Sequence, residues 1–158
     1  MLKTGTIRDV NQEILSYAKF VEKLKDLNKE GLDVYIGTDS QVLGPKISIV
    51  TCICLYRNGL PKNSIFYIKE KLNTDRYPTL RSRMLLEAYR SLEVALEVDQ
   101  LVDGQLTVHL DIGSDVAKNK TAKFQNELQF LFKSQGFGCE IKPNSWASSC
   151  VADRFTKS

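Results

Sequence analysis

Apolar residues recur along this chain at two periods, and the switches between them mark its elements. Asp33-Val34-Tyr35-Ile36-Gly37-Thr38-Asp39-Ser40-Gln41 opens on β-branched and aromatic positions, the pattern of a buried strand, and delivers one carboxylate among small hydrogen-bonding residues. Lys46 to Tyr56 is apolar on both faces: Ile47, Ile49, Ile53 and Leu55 on one, Val50, Cys52, Cys54 and Tyr56 on the other. A strand buried on both sides belongs in the interior of a sheet. Leu43-Gly44-Pro45 predicts the turn between these two strands, and Asn58-Gly59 predicts a hairpin returning through Ile65-Phe66-Tyr67-Ile68. Leu106-Thr107-Val108-His109-Leu110-Asp111-Ile112-Gly113 is a further buried run that delivers an Asp, and Cys139 to Lys142 fits a short edge strand.

Between these runs the period lengthens. Val10, Ile14, Tyr17, Val21 and Leu24 form one stripe of a helix over residues 9–30, with Asp9 as N-cap and Gly31 as the stop. Leu80 to Val98 is a second helix, its core stripe Leu85, Ala88/Tyr89, Leu92 and Ala95/Leu96, with Glu87 just beside it. Asn119 to Gln135 is a third, turning Phe124, Leu128, Leu131 and Phe132 inward. The last runs from Trp146 to about Lys157; Ala147, Val151 and Phe155 are its apolar line and Asp153 lies at the rim.

The order helix, then β-β-β-α-β-α-β-α, predicts an α/β protein. Its sheet is mixed and five-stranded, three antiparallel strands plus two parallel, with helices on both faces. Residues 1–158 are expected to form one domain, with an extra N-terminal helical extension over 1–31 and a core over 32–158. The stripe of the first helix covers the sheet or serves a weak homodimer; otherwise the chain is a monomer.

Composition narrows the class. With 158 residues, 42% hydrophobic and 26% charged, the chain can bury one sizeable core. No apolar run approaches the roughly 20 residues that span a bilayer, so no membrane partner is expected, and the start has no signal-like apolar core, so the expected compartment is the cytoplasm. Cys52, Cys54, Cys139 and Cys150 lack zinc-site spacing and are expected as small buried thiols. The net charge of +3 is uninformative, but its distribution is not: residues 57–83 carry a net +5 and residues 85–115 a net −6. Acids beside a basic segment suit a metal-holding site next to a phosphate-holding rim, and equally two solvated faces.

If the two Asp-bearing strands are parallel neighbours, Asp39 and Asp111 stand about 4.8 Å apart by strand spacing. Glu87 and Asp153, from helices packed above, would add two more acids. Like charges that close take up protons unless a cation intervenes. Mg²⁺ or Mn²⁺ is the natural choice, and two such ions can activate water and stabilise the leaving oxygen in phosphodiester hydrolysis. Ser40 and Gln41 are candidate substrate contacts. So are Lys118, Asn119 and Lys120 at a helix start, where charge and free N–H groups hold phosphate or simply form a solvated cap.

Gly37-Thr38-Asp39-Ser40-Gln41, Glu87 within Met84-Leu85-Leu86-Glu87-Ala88, His109-Leu110-Asp111 and Val151-Ala152-Asp153, in that order, resemble the ribonuclease-H-like superfamily, and within it the YkuK-type bacterial branch. The resemblance spans roughly residues 32–158. It implies that Asp39 bridges two metals, that Glu87 and Asp111 complete one site, and that Asp153 completes the other. It also implies a nucleic-acid partner: RNA, an RNA/DNA hybrid or structured DNA. The chain departs from true ribonuclease H in having no His before the last helix and no room between Asp111 and Asp153 for an extra basic helix. The metal site is therefore implied more strongly than the hybrid substrate.

Single residues keep bland readings. Asp115 stands in for Asp111 if the strand register differs, and Glu93 and Glu97 share the helix of Glu87. His109, the one histidine, is expected as a core residue with a satisfied ring. Trp146 is expected as core or a lid, with base stacking the sharper option. The leading reading is a Mg/Mn-dependent nuclease. Its alternatives are a non-catalytic nucleic-acid-binding module and a protein-interaction module on the same scaffold.

Overall fold

A computed structural model describes residues 1–112 and 122–156, apart from the side chains of residues 122, 123, 149 and 150. Its centre is the pair of long strands expected from the doubly apolar pattern. These are β3 (Asp33–Leu43) and β4 (Lys46–Tyr56), antiparallel from Leu43↔Lys46 to Asp33↔Tyr56. Gly44, at φ +63°, makes the two-residue turn between them. Nine consecutive residues of β4, Ile47 to Leu55, are buried, as a strand covered on both faces requires. β5 (Ser64–Asn73) returns antiparallel after a turn at Asn58-Gly59. Across β3, β6 (Leu106–His109) and then β7 (Gly138–Glu140) add in parallel.

These five strands match the expected sheet, and two more extend it. β1 (Ile7–Asp9) pairs antiparallel with β5, and β2 (Ile14–Leu15) pairs with β1, giving the order β2-β1-β5-β4-β3-β6-β7. The helix expected over 9–30 is therefore only α1 (Tyr17–Lys29), and its cap is Ser16, whose Oγ accepts from Lys19 N. Asp9 instead organises a tight turn. Its carboxylate accepts from the backbone N–H groups of Asn11 and Glu13, and Gln12 sits at φ +66°. Val10 and Ile14 are exposed, so two of the five residues of the expected stripe never joined a helix. The free edge of β5 gave this segment a ladder partner, and that outweighed its helical periodicity.

α2 (Leu80–Asp99) begins with a reciprocal cap between Thr79 and Ser82. Its buried line is Leu86, Ala88, Ser91, Val94, Ala95 and Val98, whereas Tyr89 and Leu96 of the expected stripe are exposed. A helix with apolar residues on several sides does not declare its inward face by pattern alone. α3 (Ala122–Ser134) buries Phe124, Leu128 and Phe132.

α1, α2 and α3 contribute to one large core with Val34, Ile36, Ile53, Leu55, Phe66 and Val108. The opposite face is covered by the C-terminal segment, a wide π-helical turn (Ala147–Ala152) running into α4 (Asp153–Thr156). That segment packs Ala147, Ala152 and Phe155 on Val50, Cys52, Cys54 and Tyr67. Cys52, Cys54 and Cys139 are buried free thiols, and burial pushes the Cys54 thiol up to about 12. The Cys150 side chain lies outside the described residues. Among the described residues no helix is long and apolar enough to cross a membrane.

Candidate carboxylate site

β3 presents alternate residues to the two layers, and each side has its own ladder of contacts. Toward α2, Thr38 Oγ1 shares a 2.7 Å hydrogen bond with Ser91 Oγ and donates to Thr51 Oγ1 at 3.1 Å. Two residues along the strand and four back along the helix, Ser40 Oγ donates to Glu87 Oε2 at 2.8 Å. Two strand steps span about 6.6 Å and four helix steps about 6 Å, so the rungs match. This matching brings Glu87 to the end of the sheet.

Toward the C-terminal segment, Tyr35 packs on Trp146 with ring centroids 4.8 Å apart. Gly37 lies so close beneath the chain that a Cβ there would sit 2.4 Å from Ser148 N and 2.5 Å from Ala147 C. Glycine is required at this crossing. Asp39 hydrogen-bonds Asp153. Beyond it, Thr156 Oγ1 lies 3.4 Å from Gln41 Oε1.

The segment is also held by His109, which pairs with Gly37 across β3 and β6. Ala147 N–H donates to His109 Nδ1 at 3.1 Å, and the ring packs on Tyr35 and Trp146. Nδ1 as acceptor places the proton of the neutral ring on Nε2. Burial lowers its pKa to about 4. The expectation of a satisfied core histidine matches this geometry.

β3 and β6 are parallel neighbours, as expected for the strands of the two aspartates. Their ladder ends at Gly37↔His109, two residues short of both Asp39 and Asp111. Past that point the β6 chain continues along β7: Leu110 N donates to Glu140 O, and Lys142 N to Ile112 O. Lys142 Nζ meets Asp111 Oδ1 at 3.0 Å. This lysine had no place among the expected site residues. Its signal was the parallel register: continuing His109↔Glu140 by two residues sets Lys142 against Asp111. Asp111 and Glu87 also line one small crevice with Thr38 and Ser91, about 10 Å³ and so close to the size of one water.

The electrostatics follow from this crowding. Asp39 is 7% exposed, so its carboxylate has little water to screen it. Burial, the Asp153 hydrogen bond and the nearby Asp111 charge raise its pKa to about 7, against a smaller opposing effect from the Ser40 backbone. Glu87 is raised to about 8, mainly by burial and further by Asp39 and Asp111, with the Ser40 hydroxyl opposing. Proton uptake here answers a local surplus of negative charge.

Asp39 is thus linked to Asp153 by a hydrogen bond and to Asp111 by charge, and Glu87 by charge to Asp39 and Asp111. Ser40 is turned to Glu87 and Gln41 toward Thr156. Lys118, Asn119, Lys120 and Asp115 lie outside the described residues. The donor set, all carboxylate oxygens in surplus over cations, suits a hard divalent ion in its chemistry. Among the described residues, however, no three His, Cys, Asp or Glu side chains come close enough together to hold a metal ion. Their contacts are pairwise: Asp39 with Asp153, Glu87 with Ser40 and Asp111 with Lys142.

Comparison with known proteins agrees with this architecture. The ribonuclease H-like family model matches residues 12–157, and the chain belongs to that family. It is also 28% identical, over 172 aligned positions, to the uncharacterized protein YkuK of Bacillus subtilis (strain 168); the match covers 94% of this chain and 95% of that relative. No solved structure matches the chain.

Proposed function

We propose that the protein is a divalent-metal-dependent nuclease that hydrolyses phosphodiester bonds of RNA, RNA/DNA hybrid or structured DNA. The observation carrying this reading is the gathering of acids at one end of the sheet, buried Asp39 against Asp153 and near Asp111, with Glu87 held from α2 by matched rungs. Two ions of Mg²⁺ or Mn²⁺, when bound, supply Lewis-acid stabilisation and a water nucleophile at neutral pH. Asp39, which hydrogen-bonds Asp153 and feels the charge of Asp111, would be the residue shared in holding the ions. Glu87 and Asp111 hold the α2 side and Asp153 the opposite side. Ser40 orients Glu87, and Lys142 neutralises part of the charge at Asp111.

The test is cleavage of single-stranded RNA, hybrid, duplex DNA and a branched junction, with and without Mn²⁺. Asp39→Asn is expected to lower the rate by on the order of a thousandfold. Metal-stimulated cutting that survives Asp39→Asn overturns the reading. A second reading, a nucleic-acid-binding module without hydrolysis, is favoured by the Lys142–Asp111 ion pair, which already partners one of the four acids. Salt-sensitive binding with no cutting on any substrate selects it.

A further inference from the structure

On the sheet face that carries Asp39 lies a cleft of about 320 Å³, lined chiefly by Tyr56, Asn63, Ser64, Ile65, Trp146 and Val151. Its volume is at the small end for ligand sites. Among the described residues, no charged side chain lines it. The indole of Trp146 and the phenol of Tyr56 meet edge to face at 5.9 Å, and Tyr56 is 39% exposed, so aromatic surface is open to solvent. The Asn63 amide supplies both donors and an acceptor. A neutral planar ring with a hydrogen-bonding edge fits this lining better than an ion or a purely apolar chain does. Ile65 shares its face of β5 with Lys69 and Lys71, the partners of Val50 and Ser48, which suits a polyanion running past the cleft.

The cleft is tied to the carboxylates through one element. The segment that starts at Trp146 carries Asp153, and β4 runs six residues from Val50, the partner of Asp39, to Tyr56. That is about 20 Å, or about six nucleotide steps of a duplex strand and fewer of an extended single strand.

We propose that this cleft receives one unstacked nucleobase of a single-stranded nucleic acid whose backbone continues to the carboxylate site. The inference rests on the nucleic-acid reading above and narrows its substrate to single strands or single-stranded overhangs. Bases paired within a duplex enter a pocket only at the cost of unpairing and unstacking, whereas unpaired bases stack directly on aromatic side chains.

Trp146 is the only tryptophan, so its fluorescence reports the cleft directly. The full chain is titrated with uridine and adenosine, with a short single-stranded oligonucleotide and with the same sequence as duplex, exciting at the red edge where nucleosides do not absorb. Saturable quenching by nucleosides is expected, with the single strand binding about tenfold tighter than the duplex. Tyr56→Ala is expected to weaken nucleoside binding by about tenfold with an unchanged circular dichroism spectrum, and Asn63→Ala by about threefold. Absence of nucleoside quenching overturns the proposal, as does quenching by toluene alone or indifference to Tyr56→Ala. Mn²⁺-dependent cutting without nucleoside quenching removes the cleft and leaves the nuclease reading standing. Nucleoside quenching without any cutting upholds the cleft and removes that reading.

Discussion

The two ends of the sheet face beneath the C-terminal segment are built on opposite principles. At one end Tyr35, His109 and Trp146 pack ring against ring, and the one polar demand, the Ala147 N–H, is met by the His109 ring. Four residues along β3, Asp39 and Asp153 share a hydrogen bond amid the charges of Asp111 and Glu87. The first end is electrically neutral and its burial favours a neutral ring. The second concentrates acids that burial penalises. An end that only anchored the helix would gain from the first design; the second makes sense where an external cation completes the balance.

The sharpest way to break both ends together is Gly37→Ala. The new methyl meets the Ala147–Ser148 backbone and cannot be absorbed by a side-chain rotation. A loss of about 3 kcal/mol is expected, or about 9 °C in Tm, measured by thermal unfolding followed at Trp146. A variant as stable as the parent would mean the segment does not press on β3.

Asp39→Asn should act with the opposite sign. An acid whose pKa is raised from 3.8 to about 7 favours the folded state below its unfolded value and loses that contribution as pH rises through the folded one. In chelating buffer the parent should therefore lose stability between pH 4 and about 7, with Glu87 extending the decline to about 8. The Asn variant should be about 2 kcal/mol more stable at the upper end, as urea unfolding at several pH values would reveal. Addition of Mn²⁺ should restore the parent and leave the variant nearly unmoved.

The neutral end slopes the other way. His109, lowered from 6.5 to about 4, contributes stability that is present above its unfolded pKa and is lost as pH falls toward 4. His109→Phe also leaves the Ala147 N–H without its acceptor, at a cost of about 1–2 kcal/mol near neutral pH. The deficit should shrink on acidification because only the parent has a ring to protonate. A deficit constant from pH 7 to pH 4 would contradict the assignment. Smallest is Ser40→Ala: without the hydroxyl, the Glu87 midpoint should rise by roughly half a pH unit, visible in a carboxyl NMR titration.

What could be foreseen from the chain follows from how local each signal was. The doubly apolar β4, the Asn58-Gly59 turn and β3 with Asp39 carry their patterns within about ten residues and formed as expected, whereas β6 stops at His109, short of Asp111. The β1–β2 hairpin did not, because strands of three and two residues exist only by virtue of the β5 edge. Tyr89 and Leu96 were misassigned inward since α2 offers apolar residues in several directions. At the site, Asp39 and Asp111 could be located by their runs, and Glu87 by its place beside the α2 stripe. Lys142 could not, since its pairing depends on the β6–β7 register, which hydropathy leaves open. Gly37 carried no hint of its neighbour, as the crossing of Ala147 over it joins residues 110 positions apart.

The outline of the sheet has a consequence for assembly. Its eleven-residue strands are central, and the outermost, β2 and β7, are two and three residues long. Among the described residues, these two outermost strands offer a second chain only a few residues of backbone to zip onto, while β5 runs on from Lys69 to Asn73 beyond its pairing with β1. A strand added at β2 or β7 would gain few ladder bonds, so the short outer strands work against filament growth from those two margins.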